Sequence, residues 1–491
     1  MGLIWVVKLG YQQEKIERIF PTPPDFTLYS RWLLRSARAL QNPQSIGLAL
    51  TSWSKVGEFY TELLERLENP EIDGKGLKEQ TEGGLVVDGV GKIGYDIEGM
   101  SESWKMGYFQ ALMGAAETAE KLEGWMYDEK LDAAAPAEYV VGPSNPNPKP
   151  KPASIKHMLN EEDSRPAYES PEVFYMKILT TKGFQTNQRL DAALAYADWL
   201  DFKGWNETAD DMYRWAMDIA ASGLPVDPSA VVDMKTGILK DVGNKHVTEN
   251  ILRATTALGV HKVRRGDLAP ALSIFLSVLR ARRNLPEAPI SHENQIPPQD
   301  ESPLSELFEI LSSYVVPPPY PYATLTGNER PLRSASEACD EAGLMVYIGE
   351  IIFASSSQEN GLSWTRDAVD LAEISLLRLD GTDNGPRSYG MKYSNDDEKC
   401  HDCLRTGLDN WKKMVKKLVV QAEQEELDCI STAKDGWFSS RSKQVKEKQM
   451  QRRRWEAEEM IIEDRSKRIQ KFIGDPLLAG LAPNTTMMLF S

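Results

Sequence analysis

The sequence predicts an all-α chain, an irregular solenoid of helix pairs with proline-rich insertions. Three observations carry that class. Residues 189–220 place small and large side chains as two antiparallel helices around a tight turn at Gly204 would need them. The same placement recurs over 248–283 around Gly266, and again over 337–379. Two stretches rich in proline, 133–170 and 286–331, break the helical periodicity, because each proline removes a donor and restricts the residue before it.

Residues 1–25 form an N-terminal segment that begins MGLIWVVKLG. A spanning helix needs about 20 apolar residues, and Lys8 interrupts this run. A signal peptide would carry a basic start and a small-residue cleavage site, both missing. Gly2 is followed by Val6 where myristoylation asks for Ser or Thr. The segment therefore reads either as a short buried start or as the remnant of a membrane anchor. In the helical block over 26–132, residues 29–40 and 53–67 carry apolar side chains at helical spacing. Ser101 caps a long helix expected over 103–127, and the glycine-rich stretch 69–100 reads as a loop or hairpin. The linker 133–170, with GPSNPNPKPKP at its centre, is expected to be extended and solvated.

The main block runs over 171–435. Counting Gly204 as position 15 puts Tyr196, Ala197 and Leu200 at 7, 8 and 11, and Ala209, Tyr213 and Ala216 at 20, 24 and 27. This is the pattern of a tetratricopeptide (TPR) unit, in which small residues let two helices approach while large ones fill the surrounding space. Counting Gly266 likewise gives Leu258 and Gly259 at 7 and 8, Ala271 at 20 and Phe275 at 24, with Lys262 and Val278 departing from the pattern. In the third unit Ile348, Gly349 and Ile352 take 7, 8 and 11. Ala368 and Ala372 serve as 20 and 24, after a turn lengthened over 355–361. A fourth pair starts near Asp397, with Leu404, Leu408, Trp411, Val415 and Leu418 on one face. The insertion at 286–331 surrounds one short helix at 303–314. Gly204 and Gly266 lie 62 residues apart, where an uninterrupted array steps by about 34. The closing segment, 436–491, holds a charge-dense helix over 441–473 with Glu463–Lys467 and Asp464–Arg468 at i,i+4. Its apolar positions do not keep a heptad, so it reads as a solvated closing helix, or else a docking surface, rather than a coiled coil.

By length the chain holds about three domains. Hydrophobic residues make up 41% and charged residues 26%, enough for a sizeable core. The net charge of −16 argues against nucleic acid and anionic membrane surfaces as the main partner. Four cysteines are too few for a secreted disulfide scaffold, which favours a reducing compartment.

No catalytic constellation emerges, and no cofactor is expected. Residues 89–94 match G-x-G-x-x-G, but a helix start and βαβ spacing are missing, so they read as a glycine-rich loop. Cys400, His401 and Cys403 form one C-x-x-C with a histidine; a structural zinc site needs four ligands, and a metal or redox protein using these residues is the alternative reading. Stacked helix pairs usually hold other proteins. Positions 2, 5, 9 and 12 of each first helix line the concave face: Asp191, Leu194, Asp198 and Asp201 in the first unit, Arg253, Thr256, Val260 and Val263 in the second. Only Arg253 suits the carboxylate clamp of chaperone-tail binders.

Residues 20–39 (FPTPPDFTLYSRWLLRSARA), 174–214 (FYMKILTTKGFQTNQRLDAALAYADWLDFKGWNETADDMYR) and 275–283 (FLSVLRARR) resemble a fungal family of mitochondrial TPR proteins. That family is similar to the adaptor subunit of the inner-membrane i-AAA protease. The resemblance implies a non-enzymatic adaptor that is anchored near its N-terminus, faces the intermembrane space and helps the AAA protease engage unfolded substrates. A basic presequence and a complete anchor are missing here, so membrane association would require a missing N-terminal anchor. The alternative is a soluble, cytoplasmic TPR scaffold for complex assembly unrelated to proteolysis.

Overall fold

The computed structural model describes residues 13–42, 51–79, 86–87, 91–92, 94–131, 133–151, 158–287, 320, 325–382, 395–433 and 439–473. Two compact units form instead of the three domains that length predicts. The first comprises Met1–Leu224, Glu249–Ala254 and Ser291–Glu329, the second Pro225–Thr248, Thr255–Ile290 and Arg330–Ser491. Most described residues are helical, and helices adjacent in sequence pack as pairs.

In the first unit, a short helix α1 over 13–19 precedes α2 (Leu28–Gln41), α3 (Trp53–Leu67) and α4 (Glu102–Leu122). Leu33, Leu34, Leu63 and Leu67 are fully buried between α2 and α3. Ser101 caps α4 by accepting from the Trp104 amide at 3.2 Å, satisfying one orphan donor of the first turn. Ala111, Ala115 and Ala119, four residues apart, give α4 a flat buried face. The helix stops at Leu122, short of the expected 127, because Gly124 turns the chain at φ +75° and Trp125–Asp128 becomes a strand.

The glycine-rich stretch is a hairpin: Lys78–Glu79 pairs antiparallel with Tyr95–Asp96, and Val86–Val87 with Gly91–Lys92. The proline-rich segment after α4 departs from the solvated linker expected of it. Ala133–Pro136 and Ser164–Pro166 flank Trp125–Asp128 in a three-stranded antiparallel sheet. Val140–Val141 runs parallel to Leu159–Asn160. Ala135, Val140 and Leu159 make a small core beside Met126. Proline excludes helix, and extended chain with a few apolar side chains can still pair at sheet edges.

Three further helices follow, α5 (Pro171–Thr180), α6 (Thr186–Phe202) and α7 (Asn206–Ser222). Gly204 makes the α6–α7 turn at φ +76°, a region that disfavours side chains with a Cβ. Ala197 and Ala209 are fully buried, with Tyr196, Leu200 and Tyr213 buried around them. Residues 325–329 strap the starts of two helices. The Thr326 carbonyl accepts from the Asn187 amide at 3.1 Å, and the Gly327 carbonyl from the Asn250 amide at 3.0 Å. The Asn328 amide group reaches Thr186 Oγ1 at 3.1 Å. The expected short helix at 303–314 lies outside the described residues.

Of the second unit's helices, α8 is the single turn Pro228–Val231. The long helix α9 (Glu249–Arg264) gives its first six residues to the first unit and the rest to the second. Then come α10 (Leu268–Arg283), α11 (Ala335–Ser355), α12 (Gln358–Thr382), α13 (Asn395–Ala433) and α14 (Ser439–Ile473). Phe275 is fully buried where Gly259 admits its ring, and it stacks on Tyr347 with centroids 5.4 Å apart. The α11–α12 turn is shorter than expected: α12 resumes at Gln358, so Gly361 lies inside the helix.

The closing helix is not merely solvated. Trp455, Ile462 and Ile469 are buried seven residues apart, in one core with Leu404, Leu408, Trp411, Val415 and Leu418 of α13. A heptad is present after all. Its intervening positions carry Glu458 and Arg465, which hides it from a search for apolar residues. Both charges are paired: Arg366 holds Glu458, the Trp411 indole N–H donates to Glu458 Oε1 at 2.8 Å, and Arg465 bonds Glu373 as well as Asp370 at 2.7 Å.

Candidate functional site

A groove of about 590 Å³ opens on the first unit, with α4 and α6 as its walls. Its α4 wall is a stripe at spacings of three and four: Gln110, Met113, Glu117 and Glu120, with Phe109 beside it. The α6 wall is a second such stripe, Asp191, Ala195, Asp198 and Phe202, with Trp199. Arg38 and Gln41 of α2, Tyr60 of α3 and Tyr175 of α5 complete the lining. A Cβ on Gly114 would sit 2.2 Å from the Tyr60 hydroxyl oxygen, so this glycine lets α3 and α4 close under the groove.

The polar groups are held in place by neighbours. Tyr60 donates to Gln41 Oε1 at 2.5 Å, and the Gln41 amide donates to Glu117 Oε2 at 3.2 Å. Tyr175 donates to Glu120 Oε1 at 2.7 Å. Burial raises the Glu120 and Glu117 carboxyls above the usual carboxylate range, the Tyr175 hydrogen bond opposing it at Glu120 and Lys121 at Glu117. Burial also lowers Arg38, a cation among the lining residues. Its guanidinium lies 5.2 Å over the Phe20 ring and donates to Gln110 Oε1 at 3.4 Å. The aromatic residues form a chain, Tyr175 stacking on Tyr196, Tyr196 on Trp199, and Trp199 meeting Trp205 edge-on. Phe202 is 86% exposed at the rim.

Asp191 and Asp198, two of the residues expected on a concave face, line this groove. Arg253 reaches Asp191 as an ion pair. Leu194 and Asp201 are half-buried on α6 outside the lining. Thr256, Val260 and Val263 belong to the second unit, where Val263 is buried at 2% exposure. The α4 stripe escaped the sequence reading, although the Gln110–Met113–Glu117–Glu120 spacing on an otherwise alanine-rich helix was its signal.

Of the G-x-G-x-x-G stretch, Gly91 and Lys92 lie in a strand paired with Val86–Val87, and the helix that follows starts only at Glu102. Cys400 does not pair with Cys403. It forms a disulfide with Cys339, joining α11 to α13. Cys403 is a free thiol pushed up to about 12 by burial, with Asp340 and Asp402 adding to the shift, so it stays protonated at neutral pH. The bond also runs against the reducing compartment that the scarcity of cysteine favours. Among the described residues no three His, Cys, Asp or Glu side chains cluster as metal ligands, and no helix is long and apolar enough to cross a membrane.

A mostly helical chain of packed helix pairs with a lined groove is the class that fold and site define. No family model, curated protein or solved structure matches the chain.

Proposed function

We propose that this chain is a non-enzymatic adaptor of TPR-like helix pairs, which holds a segment of another protein in the groove between α4 and α6. In its specific form it helps a mitochondrial AAA protease engage unfolded proteins. The observation that carries the adaptor reading is the groove itself. Two helices expose matched stripes of aromatic and carboxylate side chains around a volume that the first unit's own core leaves open. Docking of that kind uses side-chain pockets on a rigid helical frame. The protease partner rests on the resemblance carried by residues 20–39, 174–214 and 275–283, of which 174–214 includes the whole of α6. The Cys339–Cys400 disulfide supports a compartment where thiols oxidise and counts against the cytoplasm.

A tagged full-length chain recovered from mitochondrial membranes in mild detergent tests the specific form. Co-recovery of an AAA protease that Phe202→Ser weakens is the expected result. Reproducible absence of any AAA protease from the eluate would remove the proteolytic role. Localisation of the tagged protein to the cytoplasm would leave the soluble scaffold in its place.

A further inference from the structure

We propose that the groove takes a cationic segment of another protein, its lysine or arginine stems lying on the aromatic floor and its charged heads among Glu117, Glu120 and Asp198. The inference rests on the adaptor reading and adds the chemistry of the partner. Phe109, Met113, Tyr175, Trp199 and Phe202 offer apolar surface along the groove. Among the described residues, four carboxylates border that surface (Glu117, Glu120, Asp191 and Asp198) against one lining guanidinium, Arg38. Arg38 is already engaged with Phe20 and Gln110, and Asp191 with Arg253. A basic side chain entering here meets both components that favour it, an aromatic face and a poorly hydrated anion.

The molecule already contains this arrangement beside the groove. Lys203 places Nζ 5.9 Å over the Trp199 ring and 2.8 Å from Glu123 Oε1. The α4 stripe from Gln110 to Glu120 spans about 15 Å, which accommodates roughly four or five residues of extended chain.

One basic segment of this chain is already engaged elsewhere. The basic stretch of α14 is partly committed, Lys448 to Glu425 and Arg452 to Glu426.

Fluorescence anisotropy with the purified full chain tests the inference, using three labelled dodecapeptides: (Lys-Leu-Ala-Lys)₃, (Gln-Leu-Ala-Gln)₃ and (Glu-Leu-Ala-Glu)₃. The lysine peptide is expected to bind about tenfold or more tightly than the glutamine peptide at low salt. Binding of the glutamate peptide should be undetectable. Glu117→Gln/Glu120→Gln should remove most of the preference for lysine, and Phe202→Ser, at an 86% exposed position, should weaken the lysine peptide without unfolding the chain. Equal binding of the lysine and glutamine peptides, both weakened by Phe202→Ser, overturns the cationic partner and leaves the groove reading intact. Lysine binding indifferent to all of these variants is attraction to the net charge and overturns the inference. If no peptide binds, both readings fall. Self-association abolished by Asp198→Lys replaces the foreign partner with a second copy of this chain.

Discussion

The α6–α7 pair of the first unit and the α10–α11 pair of the second are both packed helix pairs, yet different chemistry joins them. Ala197 and Ala209, both fully buried, bring α6 and α7 together by leaving nothing in the way. Between α10 and α11 the contact runs through charge: Arg282 is buried at 5% exposure and pairs with Glu337 at 8%, with Asp340 Oδ2 3.6 Å away. Next to it, Arg283 bonds Glu341 at 2.6 Å. The first pair is limited by volume, the second by neutralisation. A mutation that one tolerates should be costly in the other.

The sharpest test of that contrast is Arg282→Met. Stranding Glu337 without its cation should lower the stability of the second unit by about 3–5 kcal/mol. Adding Glu337→Leu should recover most of the loss, since an apolar pair of similar size replaces the ions. Hydrogen exchange resolved by helix would read both effects; unchanged protection of α10 and α11 in the single variant would contradict the charge-based contact. Ala209→Trp is the converse experiment. Overpacking the alanine contact should cost about 1–3 kcal/mol, confined to the first unit. A thermal transition identical to that of the parent chain would show that α6 and α7 do not depend on this contact.

A smaller effect comes from Glu350 of α11. It is 3% exposed, and burial raises its carboxyl to about 7, with Asp409 adding to the shift and Lys413 opposing it. The folded state then holds the proton more tightly than the unfolded chain. Its contribution to stability is complete below the ordinary glutamate value and is lost as pH rises through about 7. Glu350→Gln should therefore stabilise the second unit by roughly 1–2 kcal/mol at pH 8 and change little at pH 4. Denaturation curves at the two pH values measure it, and a gain of equal size at both would exclude the carboxylate as its source.

The volume-limited pair is the one legible in the sequence. Small residues at Ala197, Ala209 and Gly259 are local signals, readable within one helix–turn–helix. Charge-based contacts are not, because each partner looks like an ordinary solvated residue until the fold brings its counterion. The heptad of α14 was missed for this reason: Glu458 and Arg465 occupy its alternate positions, and their partners Arg366 and Glu373 lie in α12. The strands around Ala135 and Leu159 were hidden differently. Segments of two to four residues are too short to show an alternation, and neighbouring prolines dominate their composition. The groove was half visible, through Asp191 and Asp198, because its other wall comes from a helix distant in sequence.

The disulfide between Cys339 and Cys400 gives the second unit a closed covalent ring that includes the connection from Thr382 to Asn395. A single peptide-bond cut anywhere between the two cysteines opens the ring without parting the chain. The nicked protein should run at full mass on a non-reducing gel and as two bands after reduction. A single cut inside the ring therefore leaves one covalently held molecule rather than two fragments.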